Sequence, residues 1–247
     1  MNKDKEKSKI LLPLQEGDTT KRRPVFFLHP PLGVTGYFIN LVRHLDDDQP
    51  AYGIQSPAFY KICEPFNDMS EMANYYLDAI KTVQAKPPYT LIAHSSGANI
   101  AYEMALQLKD HKKNIPTLII IDQQAPIGQL DEIMNAFKDP KLTESDEALF
   151  LTTWLVSLIH NQELTFSLDD IKALSSIEEK YELVANFLKL SGFIPKNAEN
   201  DMVKTVLQMI ANHAVADHKY HEKYTPDGSE TKYEGRTVLL RCTEETV

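Results

Sequence analysis

The segment Ala93-His94-Ser95-Ser96-Gly97 constrains this chain more than any other, because it joins a strand-like run to a helix-like one with almost nothing between. Upstream, Tyr89-Thr-Leu-Ile92 is a short apolar block of the kind that forms a strand covered on both faces. Downstream, 97–108 carries Ile100, Met104, Ala105 and Leu108 on one helical face. A chain that turns so sharply needs small side chains beside the turn, which Ala93, Gly97 and Ala98 supply, and it forces the central serine into a strained, exposed position. The helix that follows sets the positive end of its dipole under any negative charge developing there. Ser95 is therefore a candidate nucleophile. The plainer reading of Ser-Ser-Gly, a polar loop with a helix N-cap, is weakened by the strand and helix on either side.

Similar apolar blocks recur at Pro24-Val-Phe-Phe-Leu28, Ala51-Tyr-Gly-Ile54 and Thr117-Leu-Ile-Ile-Ile121, with helix-like stretches from Tyr37 to Leu45 and from Ser70 to Gln84. Solid apolar strands alternating with helices predict an α/β fold with a mainly parallel sheet and helices on both faces. The alternation stops at about Leu130. From there to Tyr224 helix follows helix, with Thr143-x-x-Asp146 and Ser176-x-x-Glu179 resembling capping boxes. A strand pattern returns only at Arg236-Thr-Val-Leu-Leu240. We read 130–224 as a helical lid inserted over the carboxyl edge of the sheet, where α/β folds keep their sites. Residues 1–22, with one apolar patch at Ile10-Leu11-Leu12, read as a polar lead-in to a domain spanning 23–247.

Composition excludes several functions. With 26 basic and 35 acidic residues the formal charge is −9, and no basic stripe exists to displace phosphate counterions, so nucleic acid is not an expected partner. Cys63 and Cys242 lie far apart without metal-ligand spacing and read as free thiols in a reducing compartment. Charge rather than an apolar stretch follows Met1, and no apolar run approaches the ~18–20 residues that cross a bilayer, so neither signal peptide nor membrane span is expected. The expected location is cytoplasmic. A metal site built from His213, His218 and His221 fails on geometry, since a spacing of five puts two side chains about 140° apart on a helix.

A serine nucleophile needs donors for the oxyanion, a base and an acid. The N–H of the residue after the nucleophile, Ser96, is one expected donor. The other should come from the loop after the first strand block, His29 to Gly33. Pro30 and Pro31 have no N–H, so the first available amide is that of Leu32. Each such donor is typically worth ~3–4 kcal/mol in the transition state. Asp122, ending the block after the nucleophile, is the candidate acid. A turn former or helix cap is the alternative, but Gln123-Gln124-Ala125-Pro126 does not read as a helix start. The base follows the acid in this chain order. His160, His213, His218 and His221 all fall in helical stretches and read better as lid or polar-face residues, while His29 and His94 read as packing or loop-shaping residues. No histidine follows the last strand block, so a triad histidine is not found.

On these residues the chain resembles the thioesterase domains that end polyketide synthase and non-ribosomal peptide synthetase assembly lines, members of the α/β-hydrolase superfamily. The matching pieces are Leu12-Pro-Leu-Gln15, Val25-Phe-Phe-Leu-His-Pro30, Tyr52-Gly-Ile-Gln55, the Ala93–Gly97 turn with Ala101-Tyr-Glu-Met-Ala-Leu-Gln-Leu108, and Leu118-Ile-Ile-Ile-Asp122. Tyr233-Glu-Gly-Arg-Thr-Val-Leu-Leu240 resembles the strand after the lid. The resemblance implies the α/β-hydrolase fold and a serine that takes an acyl chain from the 4'-phosphopantetheine arm of an acyl or peptidyl carrier protein. Water or an internal nucleophile then releases the chain, with no cofactor of the domain's own. By motif position Ser95 is the nucleophile, Asp122 the acid, and Leu32 and Ser96 the oxyanion donors. Ala93 and Ala98 stand where the family has glycines. The family's Gly-x-His segment is expected some tens of residues beyond Cys242, so the last strand, helix and histidine loop are expected to be missing from 23–247. A non-catalytic acyl or carrier-protein binding module and a generic carboxylesterase are the competing functions.

Overall fold

The computed structural model describes residues 3–108, 116–121, 146–198, 200–223, 233 and 235–241. Each apolar block forms a strand: Val25–Leu28 (β2), Ala51–Ile54 (β3), Thr90–His94 (β4), Thr117–Ile121 (β5) and Thr237–Leu240 (β6). These five run parallel, and Leu11–Gln15 (β1) adds an antiparallel edge, giving the order β1-β3-β2-β4-β5-β6. The blocks are apolar on both faces because both faces are covered. Phe26, Leu28, Leu91, Ala93 and Leu118 enter one core, while Phe27 and Ile92 point into another with Phe38 and Val42.

The short N-terminal helix α1 is Lys3–Ser8, and Ile39–Val42 (α2) covers the second face. Met69–Lys81 (α3) and Gly97–Gln107 (α4) cover the first. Asp68 starts α3 by accepting the Glu71 N–H, and Met72, Tyr76 and Ile80 recur at helical spacing on its buried side. Each fully buried side chain of that size contributes roughly 1.5–3 kcal/mol of transfer free energy.

Residues 11–15, within the stretch read as a lead-in, form a strand of the sheet. They pair with β3, burying Leu11 and Leu14, with a register shift between Pro13 and Gln15. An edge strand tolerates a proline and a bulge that a central strand does not. The same proline hides the strand in the sequence, where no continuous apolar block marks it.

The described part of the lid is built of helices joined by loops: Asp146–His160 (α5), Leu168–Lys172 (α6), Ile177–Leu190 (α7) and Asn200–Lys223 (α8). The expected Ser176/Glu179 capping box starts α7, and an unanticipated one, Ser167/Asp170, starts α6. Thr143 lies outside the described residues. The four helices share a core built on Leu149, Val156, Ile171, Tyr181, Leu188 and Ile210. α8 reaches further. Its first half belongs to that lid core, whereas Ala216 and Tyr220 near its end enter the core of the sheet with α3 and α4. The lid is thereby fastened into the body of the domain. Among the described residues no helix is long and apolar enough to cross a membrane.

Candidate active site at the carboxyl edge of the sheet

β4 ends at His94 and α4 begins at Gly97, so Ser95 makes the turn almost alone. Its φ is +54°, the left-handed region that costs a residue with a Cβ roughly 1–2 kcal/mol. Hydrogen bonds on both sides hold it there: the Ser95 N–H donates to the Ile121 carbonyl at 3.1 Å, and its own carbonyl accepts the Ala98 N–H at 2.9 Å. Gly97 is needed for closeness. A Cβ at that position would stand 2.6 Å from the His29 carbonyl oxygen and 3.1 Å from that of Leu28, so only glycine lets the start of α4 press against the end of β2. Ala93 and Ala98, which flank the turn, are both buried, so only small side chains fit there. The register sets Ala93 beside Leu28 and His94 beside Ile121, which brings the loop after β2, the elbow and the end of β5 together.

The loop after β2 is held from two sides. His29 is 1% exposed; its Nδ1–H donates to the Pro30 carbonyl at 2.7 Å, and its Nε2 accepts the Tyr76 hydroxyl at 2.6 Å. His213, from α8, repeats the arrangement one residue on. Its Nδ1–H donates to the Pro31 carbonyl at 2.8 Å, and its Nε2 faces the Ser56 hydroxyl at 3.3 Å. A carbonyl only accepts, so each Nδ1 carries the proton and each Nε2 is the acceptor, the neutral tautomer. The two rings stack with centroids 5.0 Å apart and planes 17° from parallel. Burial holds both neutral, pushing His29 down to about 3, with the neighbouring His213 adding to the effect, and His213 down to about 4.

Three residues of α8 spaced four apart reach this loop and the elbow helix. Met209 fills the space over Gly33, whose φ is +72° and whose Cβ would meet the Met209 Sδ at 2.4 Å. His213 takes the Pro31 carbonyl, and Asp217 accepts from the Asn99 side chain at 2.7 Å. His29, Pro30, Pro31, Ser96, Ile100, His213 and Asp217 border a void of about 10 Å³, room for one water. On the other face of the sheet His94 Nδ1 lies 3.1 Å from the hydroxyl of Tyr37, whose ionisation burial strongly opposes.

The structure thus brings together Ser95, Ser96 and the loop carrying Leu32. Ser96 is the N-cap of α4, where amides have no partner within the helix. Leu32 is buried and packs its side chain into the lid core. Asp122 follows Ile121 directly but lies outside the described residues, as do the side chains of His160, His218 and His221 and all of Cys242. Cys63 is a free, exposed thiol. His213 is neither on a polar face nor free to act as a base, since both of its ring nitrogens are engaged within a buried site. Tyr76 and Ser56 also belong to the site, and sequence reasoning missed them. The only prior signal was the four-residue spacing of Met209, His213 and Asp217, which marks a helix face but not what it faces.

Residues 23–245 match the family model described as Thioesterase domain. Malpibaldin synthetase of Mortierella alpina is 33% identical over 124 residues, 50% of this chain and 2% of that protein. The dimodular nonribosomal peptide synthase of Bacillus subtilis (strain 168) is 33% identical over 114 residues, 46% of this chain and 5% of its own length. The chain therefore spans only a small fraction of these relatives. Among solved structures, a holo four-domain nonribosomal peptide synthetase bound to AMP and glycine superposes with a TM-score of 0.77 at 22% identity, covering 96% of this chain and 17% of that one. The Vlm2 thioesterase domain does so with a TM-score of 0.60 at 19% identity, covering 94% and 88%. Both likenesses are of fold, a six-stranded, mostly parallel sheet with helices on both sides. By the match over nearly its whole length, the chain belongs to the thioesterase domain family, and it has the α/β-hydrolase fold of the thioesterase domain it superposes on.

Proposed function

We propose that this chain is a serine thioesterase that releases acyl, polyketide or peptidyl chains from the phosphopantetheine arm of a carrier protein through an acyl-Ser95 intermediate. The observation that carries the reading is the elbow. Ser95 is held at a positive φ, and Gly97 lets the helix start close behind it. In the first half-reaction the Ser95 Oγ attacks the thioester carbonyl, and its proton passes to a histidine base. The oxyanion rests on the Leu32 and Ser96 amides, and the C–S bond breaks as the pantetheine thiol leaves with a proton. Water or a nucleophile within the acyl chain then attacks the ester by the same steps in reverse. Asp122, following the last residue of β5, orients the base. His29 and His213 already donate and accept on both nitrogens, so the base is a different histidine.

The carrier-protein partner is supported by the relatives, which are synthetases. No step needs a metal or prosthetic group, and an exposed Cys63 thiol suits a reducing, cytoplasmic setting. The helical lid, which carries half-buried apolar residues such as Trp154 of α5, is the proposed cover for the acyl chain.

Hydrolysis of an acyl-pantetheine thioester and of the matching oxygen ester, by the protein and by Ser95→Ala, tests this reading. The expected result is preferred turnover of the thioester, lost in Ser95→Ala by as much as ~10⁶ in kcat. Equal turnover of both esters makes the protein a general carboxylesterase. Folded protein that binds the thioester without cleaving it makes it a binding module.

A further inference from the structure

We infer that His213, on the lid helix α8, is a positioning residue for the oxyanion site: by gripping the Pro31 carbonyl it aims the Leu32 N–H. This rests on the reading of Leu32 as an oxyanion donor.

The Pro31 carbonyl and the Leu32 N–H belong to one planar peptide unit. Its bond is trans, so the two groups point in opposite directions, and fixing one fixes the other. The two prolines deprive the loop of two amides that would otherwise anchor it. The anchoring comes instead through carbonyls. His29 and the Gly33 N–H hold the Pro30 oxygen at 2.7 and 3.0 Å, His213 holds the Pro31 oxygen at 2.8 Å, and the Ser56 N–H holds the Gly33 oxygen at 2.8 Å. The hold on Pro31 is the one that turns the Leu32 amide, and it comes from the lid.

The site around His213 is arranged to keep Nδ1 as the donor. The Ser56 hydroxyl occupies Nε2, the His29 ring lies flat against the imidazole, and Asp217 one turn later is tied to α4 through Asn99. Met209, one turn earlier, sits over Gly33. A lid that shifts along α8 therefore moves the peptide plane carrying an oxyanion donor. The lid then acts on the chemical step as well as on what enters the site.

The test compares His213→Leu, which fills the space without a donor, with His213→Asn, which keeps an N–H near the position of Nδ1. Turnover of an acyl-pantetheine thioester is measured per Ser95 site titrated with a fluorophosphonate, so that loss of folded protein does not enter kcat. In His213→Leu kcat is expected to fall about 100-fold with KM nearly unchanged, and His213→Asn to recover most of that loss. Should His213→Leu not fold, Ser56→Ala removes only the hydroxyl on Nε2 and is expected to lower kcat on the order of tenfold, again without a change in KM. Unchanged kcat per site in either folded variant, while Ser95→Ala is inactive, overturns the role of His213 and leaves the thioesterase reading standing. Turnover that survives Ser95→Ala overturns both.

Discussion

Ser95 and Gly97 do different work within one turn. The serine bears a backbone conformation that side chains avoid, and the glycine removes the methyl that would keep α4 from the His29 carbonyl. Gly97→Ala therefore forces a Cβ to within 2.6 Å of a backbone oxygen that cannot move aside. We expect a stability loss of about 1–3 kcal/mol in urea unfolding. Because the displaced helix carries the Ser96 amide with it, kcat should drop about 100-fold. Retained kcat in that variant would mean the close approach is only packing. These two residues were legible in the sequence, since the elbow is a local device whose parts are adjacent in the chain. The partners of the loop after β2 were not. Ser56 and His213 are 157 residues apart, and a buried histidine on a helix reads the same in sequence as a solvated one.

At the scale of elements, the joint between α8 and the loop after β2 ties lid to body. Gly33 takes a φ of +72° directly beneath Met209. Gly33→Ala pays twice, once for conformation, about 1 kcal/mol, and again for the overlap with the thioether. In a Met209→Ala background only the first cost remains. A double-mutant cycle by denaturation should accordingly show a coupling of at least about 0.5 kcal/mol, and additivity would show that α8 is free to yield. Ser176→Ala, which removes the α7 N-cap, should cost about 1 kcal/mol and leave kcat unchanged. The α7 cap, and strands that are solid apolar blocks, announce themselves. β1 did not, because Pro13 interrupts its pattern and only pairing with β3 makes it a strand.

For the molecule as a whole, the two buried histidines make stability depend on pH. In the unfolded chain both titrate near 6.5; folded, desolvation holds His213 neutral down to about 4 and His29, further opposed by its neighbour, down to about 3. Both folded values are depressed, so their neutral, buried state costs nothing above pH 6.5. As pH falls below it, the unfolded state alone gains protons, and each histidine removes up to ~1.4 kcal/mol per pH unit. Urea unfolding at pH 7 and pH 5 should differ by about 2–4 kcal/mol, and His213→Asn should make the dependence about half as steep. The pairs of Asp78 with Lys7 and Glu147 with Lys172 act on lower-pH titrations and are solvent-screened. An equally steep loss in His213→Asn would place the titrating groups elsewhere. The overall architecture, a parallel sheet with a helical insertion, was readable because alternation of strand and helix is a pattern of the whole chain. The fastening of lid to sheet was not, because it depends on which face of α8 meets which loop.

The acyl-accepting role proposed for Ser95 is tested most directly by reaction of the folded protein with a fluorophosphonate, followed by digestion and mass mapping of the adduct. One phosphonyl group on Ser95, none on Ser96, and none anywhere in Ser95→Ala is the predicted result. A natively folded protein that leaves Ser95 unlabelled, or that carries the label on another residue, would contradict it.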